Sequence, residues 1–458
     1  MIGRMGEQVT HENLRTALAG AADAPLVLLG NFEVENQWAA GEAGLPKLAM
    51  TESKVIVNRM DEFALLLASP SDYVLLKAMP DPGYLAYLGG RGLALPTSLA
   101  PRRLVPRRTV TEDALADRSL LAVLSALPGA RLWPHGVAAA EEQLAAATGI
   151  PLALPSAAVC KAVNSKIYSR QIATELGLRQ PPGLLCRNLG ELAYAWDEAR
   201  KWQEAGRTVG CKDAYGVSGK GIVVLRDGRA LDQLCRMVVR QAERSGREEL
   251  GLVFETWVEK QADLNYQFTV RRNGEVTLDF VKEAVTEGGV HRGHWMPADL
   301  SAAEVDELRQ VAVLLGGRLA EDGYFGVAGV DALMGSDRRL YPVIEINARN
   351  NMSTYQERLR HTLIGPACTA LATHYPIRLP EYLPFEELAT ALGDVMFNRA
   401  TRAGLLVNNF ATVNAGATLG APNFEGRLYG VVVAESRDRA RSFDEEIKKR
   451  TAAITPGV

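Results

Sequence analysis

Residues 343–351 read Val-Ile-Glu-Ile-Asn-Ala-Arg-Asn-Asn, a strand in which Glu345, Asn347 and Arg349 fall on alternate positions. Side chains at i, i+2 and i+4 of an extended strand share a face, so these three project together. Glu and Asn offer hard oxygen ligands and Arg a planar donor fork, a set suited to a metal-bound phosphate. Taken alone, the pattern also fits a solvated strand face. Just upstream, residues 324–334 read as a strand carrying Asp331, and the turn 335–339 leads back into 340–346. Asp331 and Glu345 are therefore expected side by side on an antiparallel hairpin. Two carboxylates and an amide, completed by substrate phosphates, fit Mg2+ better than an all-protein cage.

Further upstream, residues 208–213 and 221–225 read as strands joined by Ala-Tyr-Gly-Val-Ser-Gly-Lys. Gly216, Ser218 and Gly219 make this link a candidate flap whose backbone N–H groups can cover phosphates, with Lys212 and Lys220 adding positive charge. It is neither a Walker A motif nor a GxGxxG fingerprint, and in isolation it also fits an ordinary hairpin. Residues 252–259 then leave an apolar strand for a linker at Glu255, Thr256, Trp257 and Val258, where a planar adenine could stack and bond to backbone groups.

Lysine, glycine-rich flap, Glu-x-x-Val hinge, Asp and Glu-x-Asn, in this order, resemble the ATP-grasp superfamily over about residues 150–375. The resemblance implies phosphate contacts for Lys166, at the start of a helix over 167–178, and for Lys212. It implies an adenine hinge at Glu255 to Val258, a ribose contact at Asp263, and Mg2+ on Asp331, Glu345 and Asn347, with ATP as the nucleotide. One departure stands out. Many ligases of the superfamily carry an arginine two residues before the metal-binding Asp, and here that position is Gly329. The catalytic cation is expected from Arg349 first and Arg292 second.

With its flanking segments the chain is similar to the ATP-grasp peptide ligases of the pheganomycin-biosynthesis type. That resemblance implies an enzyme joining an amino-acid-like carboxylate, such as a modified phenylglycine, to a peptide amine through an acyl phosphate. An ATP-grasp ligase for small amino acids and a nucleotide-binding regulatory protein without catalysis are the alternatives.

The elements that must position these residues follow from pattern changes. Residues 1–150 alternate short strands (26–29, 73–76) with helical runs (112–127, 137–148), an α/β layer that resembles a pre-ATP-grasp domain. Pro151 and Pro155 mark a linker into a two-lobed core over 151–375, hinged near Glu255. Pro376, Pro380 and Pro384 are read as the start of a small C-terminal domain, 376–458, with strands at 404–412 and 426–434 and a closing helix over 438–451. The expected fold class is thus α/β (α+β).

The 458 residues, 47% apolar and 23% charged, suffice for two or three packed domains. A net charge of −3 gives no reason to expect a nucleic-acid partner. No run of about 18 apolar residues and no signal-peptide core is evident, so a cytoplasmic protein without membrane contact is expected. A homodimer is among the expected assemblies. The five widely spaced cysteines read as reduced structural thiols. His291 and His294 have no third ligand nearby in sequence, which argues against zinc.

Overall fold

The computed structural model describes residues 11–20, 24–45, 52–216, 221–287, 290–420 and 423–454. Its strands form three sheets. The first holds β1 (Leu26–Leu29), β2 (Tyr73–Leu75), β3 (Thr97–Leu99) and β4 (Arg131–Pro134), all parallel, in the order β3-β2-β1-β4. Near-continuous apolar runs such as Leu-Val-Leu-Leu in β1 suit a parallel sheet covered on both faces. Of the two expected helical runs, 112–127 is broken at Asp117, which caps a second helix with its own side chain.

The second sheet holds β5 (Gly183–Asn188), β6 (Val209–Asp213), β7 (Ile222–Leu225) and β8 (Glu249–Thr256), in the antiparallel order β5-β8-β6-β7. It has its own core, in which Leu192, Leu231, Leu252 and Phe254 pack together.

The third sheet is eight-stranded and antiparallel, built from β9 (Lys260–Val270), β10 (Val276–Glu287), β11 (Val290–Met296), β12 (Gly326–Gly335), β13 (Leu340–Asn347), β14 (Thr369–Leu379), β15 (Gly404–Asn409) and β16 (Phe424–Ala434). Its order is β13-β12-β9-β10-β11-β14-β16-β15. Residues 257–259 join two separately packed sheets; of the expected hinge residues, Glu255 and Thr256 end β8 while Trp257 and Val258 lie in this link. One continuous apolar core links the first and third sheets, running from Trp133 and Phe63 through Tyr355 to Leu406 and Val432.

The boundary expected at 375/376 needs correction, because it falls inside β14. That strand pairs with β16 along its whole length and joins the C-terminal strands to the core sheet. Pro376 does not end the strand, since β11 accompanies β14 only over Ala370–Ala372. Beyond that point one side of β14 is an edge, where a missing N–H is tolerated. The five cysteines are free thiols, four of them buried.

Candidate active site

Strand register builds the site. Asp331 on β12 pairs with Glu345 on β13 and with Asn265 on β9, so the three side chains share one rung on one face. Asn265 Nδ2 donates to Asp331 Oδ1 at 2.9 Å, while Asn265 Oδ1 is buried without a partner among the described residues. Burial first, and the Glu345 charge second, lift the Asp331 carboxyl to about 6.

The next rung is Asn347, Gly329 and Gln267. Asn347 Nδ2 faces Asp331 Oδ2 at 3.4 Å, and Asn347 Oδ1 accepts from Arg349 Nη2 at 3.0 Å. Glycine at 329 has a steric cause: a Cβ there would collide with Asn351 Nδ2. Asn351 cannot easily yield, because its Oδ1 accepts from Ser353 N at 3.0 Å and caps the helix Met352–Leu359.

Lys166 reaches the rung from the helix Lys166–Glu175, which Ser165 caps. Its Nζ donates to Glu345 Oε1 at 2.5 Å and to Gly216 O at 3.2 Å, so one buried lysine touches both β13 and the base of the β6–β7 link. Ser169 Oγ, one turn along the same helix, accepts from Ile346 N at 2.9 Å and pins helix to strand. Ser218, Gly219 and Lys220 of the expected flap lie outside the described residues.

Lys212 is buried at the end of β6, ion-paired with Glu255 Oε1, and Arg170 Nη1 approaches Glu255 Oε2 at 3.4 Å. The Glu255 side chain thus faces two cations. Thr256 N donates to Pro182 O and Trp257 N to Thr208 O, both at 2.8 Å, and the Trp257 indole lies over Gly210. Val258 follows at the sheet's exit. Asp263 is held by Lys260 Nζ at 2.6 and 2.7 Å and by Thr286.

Arg349 is fixed by a contact that the sequence did not suggest. Its Nε donates to Glu35 Oε1 at 2.6 Å, its Nη2 pairs with the same oxygen, and its Nη1 donates to Asn350 O at 2.9 Å. Arg292 is exposed on β11, two strands from β9, and His294 Nε2 lies 3.0 Å from Ser353 Oγ. The structure therefore gathers Lys166, Gly216, Asp331, Glu345, Asn347 and Arg349, sets Lys212 and Glu255 together as a second group, and leaves Asp263 and Arg292 apart from the Asp331–Glu345 rung. Asn265 could have been found from sequence, since Asp263, Asn265 and Gln267 repeat the alternation seen at Glu345. Arg170 and Glu35 carried no such signal.

The donor set fits a divalent cation. Adjacent half-buried carboxylates and an orphaned amide oxygen leave the rung short of positive charge, and Mg2+ is bound by few carboxylates plus phosphate oxygens.

A family model described as the pre ATP-grasp domain matches residues 60–150. The chain is 26% identical over 435 residues to the [butirosin acyl-carrier protein]–L-glutamate ligase of Niallia circulans, covering 92% of this chain and 94% of that protein. An ADP complex of N5-carboxyaminoimidazole ribonucleotide synthetase superposes with a TM-score of 0.54 at 14% identity, over 93% of this chain and 96% of that one. Over nearly its whole length the chain is thus similar to a carrier-protein–glutamate ligase and shares the fold of a carboxyaminoimidazole ribonucleotide synthetase. A second structure, the biotin carboxylase–β,γ-ATP complex from Campylobacter jejuni, superposes with a TM-score of 0.53 at 14% identity, over 85% and 87% of the two chains. No helix among the described residues is long and apolar enough to cross a membrane.

Proposed function

We propose that this ATP-grasp ligase activates an amino-acid carboxylate with ATP and Mg2+ as an acyl phosphate and passes the acyl group to a peptide amine. The observation that carries the reading is the rung Glu345–Asp331–Asn265, with Lys166 on one side and Arg349 on the other. Bound Mg·ATP supplies the γ-phosphoryl group and the charge that neutralises it during transfer.

The chain's own part is positioning and electrostatics. Asp331, Glu345 and Asn347 hold the cation. Lys166 and Lys212 position phosphates, Val258 carries the backbone contact to adenine, and Arg349 orients the acyl donor. A cation shared with Asp331 calls for the amide oxygen of Asn347 on that side. With that oxygen turned to the cation, Arg349 Nη2 would give up its present contact to Asn347 Oδ1 and keep its pairing with Glu35. In the two steps a donor carboxylate oxygen attacks the γ-phosphorus and ADP leaves. The amine then attacks the acyl carbon, phosphate leaves, and the nitrogen loses one proton.

A second acceptor, an acyl carrier protein, is favoured by the near-full-length likeness to the glutamate ligase of Niallia circulans. The test is mass spectrometry of products formed from Mg·ATP, a panel of amino acids, and either peptides or an acyl carrier protein. Amide products on peptides support the first reading, acylated carrier protein supports the second, and neither product removes both.

A further inference from the structure

In the first sheet the strand order reverses between β1 and β4: the chain runs outward through β2 and β3, then crosses back to the other side of β1. Crevices at the carboxyl ends of parallel strands beside such a reversal are where ligands bind in open α/β sheets. Here those ends continue into residues 30–35 after β1 and 135–136 after β4, and both touch the end of the metal strand. Asn350 N donates to His135 O at 3.0 Å, and Arg349 is bound by Glu35. The crevice therefore abuts the rung at Arg349.

Glu35 is buried, and its two oxygens differ. Oε1 takes both Nε and Nη2 of Arg349, whereas Oε2 is buried with no hydrogen-bond partner among the described residues. A carboxylate awaiting phosphorylation must lie beside the metal strand, where Arg349 is the donor fork. An α-amino acid carries its ammonium one carbon from that carboxylate, within reach of a side chain already touching the same guanidinium.

We infer that Glu35 holds the ammonium of an α-amino acid whose carboxylate lies on Arg349, so that the site selects zwitterionic amino acids over simple carboxylic acids. This rests on the ligase reading above and adds to it the charge pattern of the donor. A zwitterion replaces the Glu35–Arg349 pair by two pairs and leaves no buried charge alone, and an ammonium has three protons to place on Oε1, Oε2 and neighbouring acceptors. A des-amino acid would take Arg349 and strand Glu35, whose side chain is 11% exposed. Sites built around a buried polar group reject analogues that leave it unpaired.

The test is calorimetric binding to wild-type protein saturated with Mg2+ and a non-hydrolysable ATP analogue. Matched ligands are L-glutamate with glutarate, L-phenylalanine with 3-phenylpropionate, L-phenylglycine with phenylacetate, and the other common amino acids with their des-amino counterparts. At least one amino acid is expected to bind about 100-fold or more tightly than its counterpart. In Glu35→Gln that ratio should fall below about 10-fold through weaker amino-acid binding, with affinity for the ATP analogue unchanged.

Equal binding within every pair, no binding by any amino acid, or an equal loss for both members of a pair in Glu35→Gln would each overturn the inference. Should Glu35→Gln fail to fold, the wild-type pairs decide by themselves. ADP formation is followed separately: selective binding without ADP release leaves the zwitterion site standing and removes the ligase reading.

Discussion

Lys166 Nζ lies 2.5 Å from Glu345 Oε1, an ion pair closed between a helix and a strand 179 positions apart. It places the lysine against the carboxylate proposed to hold Mg2+, and the same lysine touches the carbonyl of Gly216. Glu345→Gln keeps the shape but removes the charge that both the cation and Lys166 use. Turnover should fall by about two orders of magnitude or more, the range for single electrostatic groups. Steady-state ADP release measures it, and a variant as active as wild type would take Glu345 out of the metal site.

Gly329 and Asn351 compete for one volume. Gly329→Ala should destabilise the protein by about 1–3 kcal/mol, as overpacking of a tight site does. Combining it with Asn351→Ser should recover part of the loss while retaining a cap on the helix Met352–Leu359. Denaturant unfolding of the two single variants and the double variant checks this. Strict additivity would show that the two side chains do not meet.

Glu255 faces Lys212 and Arg170 in a largely buried group. Glu255→Ala leaves two buried cations without their carboxylate, which should cost about 3–5 kcal/mol of stability. Thermal unfolding should show that loss in the absence of nucleotide. A melting temperature equal to wild type would mean that Glu255 acts only when nucleotide is bound.

What was legible in the sequence was local. The alternation of Glu345, Asn347 and Arg349 and the hairpin partner Asp331 could be read because strand period and hairpin register are properties of a short segment. Gly329 could be seen as a departure, but its cause could not, because the obstructing Asn351 lies on a turn beyond the strand. Glu35 was invisible for a related reason: it meets Arg349 across 314 positions, and no periodicity links the short helix Val34–Trp38 after β1 to the end of β13. The misplaced C-terminal boundary came from reading Pro376 as a breaker, when its position beyond the β11 pairing is one that a strand tolerates.

Glu33 makes stability pH-dependent. Burial first, and the nearby Glu141 and Asp61 carboxylates after it, lift its pKa from 4.5 to about 8. The unfolded chain ionises Glu33 near 4.5 while the folded protein holds the proton to about 8. Its contribution is therefore fully present below pH 4.5 and is lost as pH rises through about 8. Against Glu33→Gln, whose amide does not titrate, wild-type protein should lose relative melting temperature between pH 5 and pH 8. Parallel melting profiles for the two proteins would contradict this.

The central claim is that a donor carboxylate is activated by phosphoryl transfer at the rung of Glu345, Asp331 and Asn265. The most direct measurement is 31P NMR of the nucleotide products formed with Mg·ATP, the amino-acid donor found by binding, and an amine acceptor. Formation of ADP and inorganic phosphate, in step with amide and dependent on the donor, is the predicted result. AMP and pyrophosphate, or ATP hydrolysis indifferent to any carboxylate, would contradict it.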